Sequence, residues 1–186
     1  MDTILSVCLG IALSAACGFR VFVPLLVMSI AARAGHLTLS SGFEWAGSTP
    51  ALITLSVATA MEIAAYYIPW LDNLLDAAAA PLAVIAGISA SAAVATGLDP
   101  YAKWTLAVIA GGGAAGTIQL LTTAARQAST ITTGGLGNPV IASIEAAGSI
   151  LLSSLAILAP LAAVAGAAAI LVIVARKALR RRTAGV

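Results

Sequence analysis

The chain has 186 residues, 61% of them hydrophobic and 9% charged, with a mean hydropathy of +1.06. Soluble domains carry about a quarter of their residues as Asp, Glu, Lys and Arg, so the composition excludes an ordinary soluble globular domain and reads as an integral membrane protein of several helices. The formal charge of +2 says little about partners, because five of the nine basic residues are Arg176, Lys177, Arg180, Arg181 and Arg182. That cluster follows the last apolar run and reads as a cytoplasmic anchor, in preference to a nucleic-acid contact. Abundant Ala and Gly with few aromatics predict close helix contacts through small residues, with Gly112 and Gly116 as a small-xxx-small pair.

From Ile4 to Ala32 the chain is apolar but broken by Cys17-Gly18-Phe19-Arg20 and by Pro24. At about 1.5 Å per residue an unbroken helix here would exceed the hydrocarbon thickness, which predicts a kink or two half-helices with Arg20 near the middle. The N-terminus lacks a basic n-region, so the first helix is expected to be retained. Cys8 and Cys17 are expected to pack as small residues, without disulfide or metal chemistry. Residues 33–50 form a polar connection in which Trp45 suits an interface and His36, without a partner at ligand spacing, suits the surface.

Ala51–Ile68 is a second span, with Glu62 well inside it. Tyr66, Tyr67 and Trp70 predict an aromatic belt at its end, and Pro69 stops the helix. Asp72 and Asp76 share one helical face, either as a cytoplasmic vestibule for cations or as a solvated interfacial face. Ala77–Leu98 is a third span, and the fourth runs from Lys103 to about Ala125 and ends at Arg126. Gln127–Gly137 is polar, and Asn138-Pro139 opens a run to Ala175 that Pro160 divides in two. The expectation is an all-α integral membrane protein of about six transmembrane helices, with residues 1–178 as a single transmembrane domain and 179–186 as a basic cytoplasmic tail. Arg126 and the tail then lie inside, and Arg33 and Lys103 outside.

The stretch Thr132–Glu145, TTGGLGNPVIASIE, sets a break and an acid inside membrane-grade sequence, since Glu145 is the one charged residue between Pro139 and Ala175. Interrupted backbone at membrane depth belongs within protein or along a watery cavity, and an intramembrane glutamate is a functional-site hypothesis by default. Gly135, Gly137 and Asn138 are expected to form the unwound element, with Asn138 as N-cap and Pro139 in the first turn. The positive end of that helix would also suit an anion. The two breaks, at 17–24 and 134–139, echo one another and suggest two pseudo-symmetric halves.

Arg20, Glu62 and Glu145 all fall at intermediate depth. If they meet, two acids and one base leave a net negative charge, so one carboxylate pairs with Arg20 and the other needs a proton, a cation or a hydrogen-bond network. The expected function is a small secondary transporter or permease, proton- or cation-linked. Glu62 and Glu145 would bind the coupling ion, with Arg20 as counter-charge or anion ligand. The alternative is a non-transporting membrane scaffold or lipid-interacting protein whose charges fix helix register. No nucleophile–base arrangement or metal-ligand cluster is readable, and Gly111-Gly112-Gly113 follows no strand, so neither an enzyme nor a cofactor is expected. A chain this small is expected to form a homo-oligomer around its solute or ion pathway.

The segments SAACGFRVFVPLL, SGFEWAGS, EIAAYYIPWLDNLLD and ARQASTITTGGLGNPVIASIE, in this order, resemble the bacterial membrane-protein family catalogued as domain of unknown function 4126. The resemblance reaches to about Pro160, and its most specific parts are TTGGLGNPV and the block from Glu62 through Ile68-Pro69 to Asp72 and Asp76. It implies a multi-pass protein of the bacterial inner membrane and assigns no activity. Two departures stand out. Family members often have an acidic-basic pair where this chain has Tyr66 and Tyr67, and a small polar residue, commonly Asn, where it has Arg20.

Overall fold

The computed structural model describes residues 2–183, with side chains described except at 69–74, 76–77, 171, 173–175 and 177–183. The described residues form helices and no strand: α1 (Thr3–Cys17), α2 (Phe22–Arg33), α3 (Thr49–Ala65), α4 (Pro69–Val94), α5 (Pro100–Leu106), α6 (Gly113–Thr133), α7 (Asn138–Leu158) and α8 (Pro160–Thr183). A 3-10 turn, Glu44–Gly47, precedes α3, and a π-helical turn, Ala107–Gly112, joins α5 and α6 into one run. The starts follow local chemistry. Prolines occupy the first turns of α3, α4, α5 and α7, where a missing N–H costs nothing. Asp99 Oδ1 accepts the N–H groups of Tyr101 and Ala102 at 3.0 and 3.1 Å, capping α5. Pro160 forces Ala159 out of helical conformation and so separates α7 from α8.

The core is built around α1, which packs against α2, α4, α6, α7 and α8. Its residues from Leu9 to Cys17 are buried apart from Ile11. Small residues set the spacing. A Cβ on Gly18 would stand 2.5 Å from the Ala115 carbonyl oxygen, and one on Gly111 would stand 2.7 Å from Ser91 Cβ. The hydroxyl of Ser14 reaches the Gly87 carbonyl oxygen at 2.6 Å, satisfying a polar group inside this close contact. Gly112 and Gly116 do face α4, toward Ile88 and Val84, but the approaches at Gly18, Gly87 and Gly111 are tighter.

The outer surface is apolar. Ile53, Val57 and Met61 on α3 and Ile144, Leu151 and Leu158 on α7 are each more than half exposed. Apolar surface of this extent marks contact with a membrane or another protein. Two described runs, Pro100–Thr133 and Asn138–Leu158, are long and apolar enough to cross a membrane, and shorter apolar helices cover Thr3–Cys17, Phe22–Arg33, Thr49–Ala65, Ala78–Val94 and Pro160–Ile170.

The first apolar run is two helices, α1 and α2, joined by residues 18–21, which is the two-half-helix form of the expected break. Several other boundaries differ from the sequence reading. The fourth span does not stop at Arg126: α6 continues through the polar stretch to Thr133. There the hydroxyls of Thr130, Thr132 and Thr133 return to the carbonyls of Arg126, Ala128 and Ser129, four residues back, at 3.0, 2.8 and 2.7 Å. Polar side chains satisfied on their own helix do not end it. Gly134, with φ +64, does. Helix α4 begins at Pro69, eight residues before the expected start of the third span, so Asp72 and Asp76 lie on its first turns, and their side chains are outside the described residues. Helix α8 runs on to Thr183, and of its basic residues the side chain of Arg176 is described, and it is exposed.

Candidate functional site

Residues 18–21 interrupt the chain between α1 and α2, and this break carries Arg20 into the interior, where it is 2% exposed. Its Nη2 donates to the Ala142 carbonyl oxygen at 2.8 Å and lies 3.4 Å from Glu145 Oε2. Asn138, Ala142, Glu145 and Ser149 recur at helical spacing along one buried face of α7. Ser149 reinforces the contact by donating to the Ala16 carbonyl oxygen, in the last turn of α1, at 3.1 Å.

Arg126 completes the cluster from α6. It is 1% exposed, with Nη2 3.0 Å from the same Glu145 Oε2. The guanidinium carbons of Arg20 and Arg126 lie 3.7 and 4.2 Å from the centroid of the Tyr66 ring. Two cations are thus brought together by one carboxylate oxygen and one aromatic ring, each of which offsets part of their repulsion.

Glu62, on α3, has a different task. Its Oε1 accepts the N–H of Val21 at 2.7 Å and its Oε2 that of Phe22 at 3.0 Å. A carboxylate therefore caps the start of α2, where orphan amides and the helix dipole favour negative charge. The same side chain borders an apolar cavity of about 370 Å³ between α2, α3 and α4, which Tyr66 also lines.

The structure brings Arg20 and Glu145 together, one of the two pairings the sequence left open, and places Glu62 beside them on the α2 amides. It corrects the charge balance. Among the described residues Arg126 joins the cluster, so two acids face two bases and the expected negative excess is absent. Arg126 had read as the polar end of a span. The signal for its burial is the stripe Gln119, Thr122 and Arg126, polar residues at helical spacing that are all buried. Tyr66 is likewise corrected: at 5% exposure it stacks on the arginines, while Tyr67 stays about half exposed and its hydroxyl lies 2.8 Å from Ser143 Oγ. The side chain of Trp70 lies outside the described residues.

At the second break, Gly134 and Gly135 adopt positive φ, +64 and +87. Gly137 holds the N-cap position, with its N–H donating to Thr133 Oγ1 at 3.0 Å. Asn138 is not the cap. It is the first residue of α7, and its Nδ2 donates across the break to Thr130 Oγ1 at 3.2 Å, tying α7 to α6. The first break keeps negative φ at Gly18, so the two interruptions differ in backbone form. Among the described residues no three His, Cys, Asp or Glu side chains gather as metal ligands.

Comparison with known families decides the identity. The family described as Domain of unknown function (DUF4126) matches residues 7–180. The chain belongs to that family. Searches of the curated proteins and of the solved structures return no match. In this DUF4126 protein the match covers both helix breaks and all four charged residues of the cluster.

Proposed function

We propose that this DUF4126 protein is a small secondary transporter of the bacterial inner membrane, proton- or cation-linked, in which Glu62 is the exchanging carboxylate. Glu145 with Arg20 and Arg126 is the fixed frame around it. The observation that carries this reading is the division between the two acids: Glu145 is held at one oxygen by two guanidinium groups, whereas Glu62 borders open space. An intramembrane carboxylate that faces a cavity is costly to keep and suits a proton or cation pathway. Because Glu62 also caps α2, a proton or cation arriving there weakens the cap and gives α2 a reason to shift. With α1 and α2 counted as halves of one interrupted crossing, the helices would cross six times with the C-terminus cytoplasmic. Asp72 and Asp76, early in α4, would face the cytoplasmic entrance. A homo-oligomer would close the lateral side of the pathway, and no catalytic step is assigned.

The test is solute flux in liposomes holding the purified protein, under imposed proton, monovalent-cation and divalent-cation gradients. Wild type should support flux under one of these gradients, and Glu62→Gln should fold yet abolish it. Absence of flux under every gradient would falsify the reading. A second reading, a membrane scaffold, is favoured by the convergence of both arginines on Glu145 and by the Arg20–Ala142 hydrogen bond. It predicts that Glu62→Gln alters assembly or lipid retention and leaves ion permeability at the level of empty liposomes.

A further inference from the structure

The cavity beside Glu62 is walled almost wholly by hydrocarbon: Ala58, Met61 and Ala65 from α3, Leu75 and Ala79 from α4, and Phe22 from α2. A second apolar cavity of about 230 Å³ adjoins it and shares Val21, Phe22 and Leu82 in its lining. Both lie along one face of α2, on which Phe22, Leu25 and Met28 follow at helical spacing. Helix α3 packs mainly against α2 and only slightly against α4, so the α3–α4 seam beside this cavity is a loosely packed slot.

Among the described residues Glu62 is the charged group on this lining, and neither guanidinium is part of it. Each of its oxygens accepts one backbone N–H, while an ionised carboxylate offers about four acceptor sites in all. Acceptor capacity therefore remains on a negative group in a wall whose other described residues are aliphatic or, at Phe22 and Tyr66, aromatic. Among the described residues a hydrated metal ion finds a single carboxylate here in place of the several oxygens that hard cations require. An organic anion meets Glu62 as a like charge, and a neutral hydrocarbon makes no use of it.

We propose that this cavity binds a lipophilic organic cation, which enters sideways from the bilayer through the slot between α3 and α4 and sets its charge against Glu62. Binding follows from the cavity alone; movement of the bound cation across the membrane rests on the transporter reading above.

Tetraphenylphosphonium is the probe and tetraphenylborate its counterpart of like shape and opposite charge. Equilibrium binding is measured on the full chain in neutral phosphatidylcholine nanodiscs, with empty nanodiscs subtracted. Saturable binding of tetraphenylphosphonium and not of tetraphenylborate is expected. Glu62→Gln should weaken it by about tenfold or more, equivalent to about 1.4 kcal/mol. Ala58→Phe fills the cavity without touching the charge and should weaken it as much. If Glu62→Gln does not fold, Ala58→Phe and the comparison of the two ions decide the question. Absence of saturable binding, equal binding of both ions, or full affinity in the variants that fold overturns the inference. Glu62-dependent flux of an inorganic cation without tetraphenylphosphonium binding overturns it too and leaves the transporter reading standing. Saturable, Glu62-dependent binding with no flux of any solute keeps the site and removes that reading.

Discussion

The Arg20 guanidinium carbon lies 3.7 Å from the centroid of the Tyr66 ring. Arg20 lies in the α1–α2 break and Tyr66 at the C-terminal end of α3, so the contact joins the two. A long cation in the α1–α2 break needs a surface that offsets its charge away from water, and an aromatic face provides one. Replacing the ring by an aliphatic group should therefore destabilise the protein by about 2 kcal/mol, the scale of a desolvated cation–π contact. Tyr66→Leu is the substitution, and Tyr66→Phe, which keeps the ring, should cost less. Reversible denaturation in mixed micelles measures both. Equal losses would show that the ring face contributes nothing.

Glu145 Oε2 lies 3.4 Å from Arg20 Nη2 and 3.0 Å from Arg126 Nη2, with all three side chains buried. Removing one partner from a buried ion cluster leaves uncompensated charge and costs about 3–5 kcal/mol. Arg126→Met and Glu145→Met should each fall in that range. The double variant should cost clearly less than the sum, because it removes a cation and an anion together. The same denaturation assay gives the coupling energy. Additive losses would mean that Arg126 and Glu145 do not act as a pair.

Gly18 and Gly113 lie at opposite extremes of packing. A Cβ at Gly18 would meet Ala115 O at 2.5 Å and Ile118 Cβ at 2.6 Å, whereas at Gly113 nothing lies within 4 Å. Gly18→Ala should destabilise by about 1–3 kcal/mol through overpacking of α1 against α6. Gly113→Ala should stabilise by up to about 1 kcal/mol through helix propensity. Thermal unfolding of the two variants in one detergent separates them. A similar shift for both would mean that α1 and α6 are spaced by something other than the Gly18 contact.

The architecture was legible to the extent that local chemistry fixed it. Both breaks fell where Gly18-Phe19-Arg20 and Gly134–Gly137 placed them, and Pro160 divided the last run as expected. That Arg20 could meet a carboxylate was also legible, because a membrane-grade run leaves a charge few alternatives to another charge, but not that Glu145 would be the partner. Arg126 and Tyr66 were not. Each sits where a span reads as giving way to polar or interfacial sequence, and there composition does not distinguish a residue leaving the membrane from one turned into the bundle. Position along a helix was readable, but the direction a side chain faces depends on which helices pack against it. For Arg126 the threonines after it obscured the helix by looking like a loop, when they were bonded back to their own carbonyls.

Glu62 carries the last prediction, because its role as a cap can be read without any knowledge of the solute. Both its oxygens are engaged by the amides of Val21 and Phe22, at 2.7 and 3.0 Å, across an interval of about forty residues in sequence. With Glu62→Ala those two amides lose their acceptor, and a buried donor left unsatisfied costs about 1–3 kcal/mol. Local opening at the start of α2 should become easier, and exchange of the Val21 and Phe22 amides with deuterium should accelerate about tenfold to a hundredfold. Glu62→Gln keeps one carbonyl oxygen and should release one amide more than the other. Ala34, whose N–H donates to the Ile30 carbonyl at 2.9 Å at the far end of α2, should exchange as in wild type. Acceleration confined to Val21 and Phe22 would establish that Glu62 fastens α3 to the break in the first apolar run. Uniform acceleration along α2 would mean that the substitution unfolds the helix as a whole, and no acceleration would remove the cap from the account.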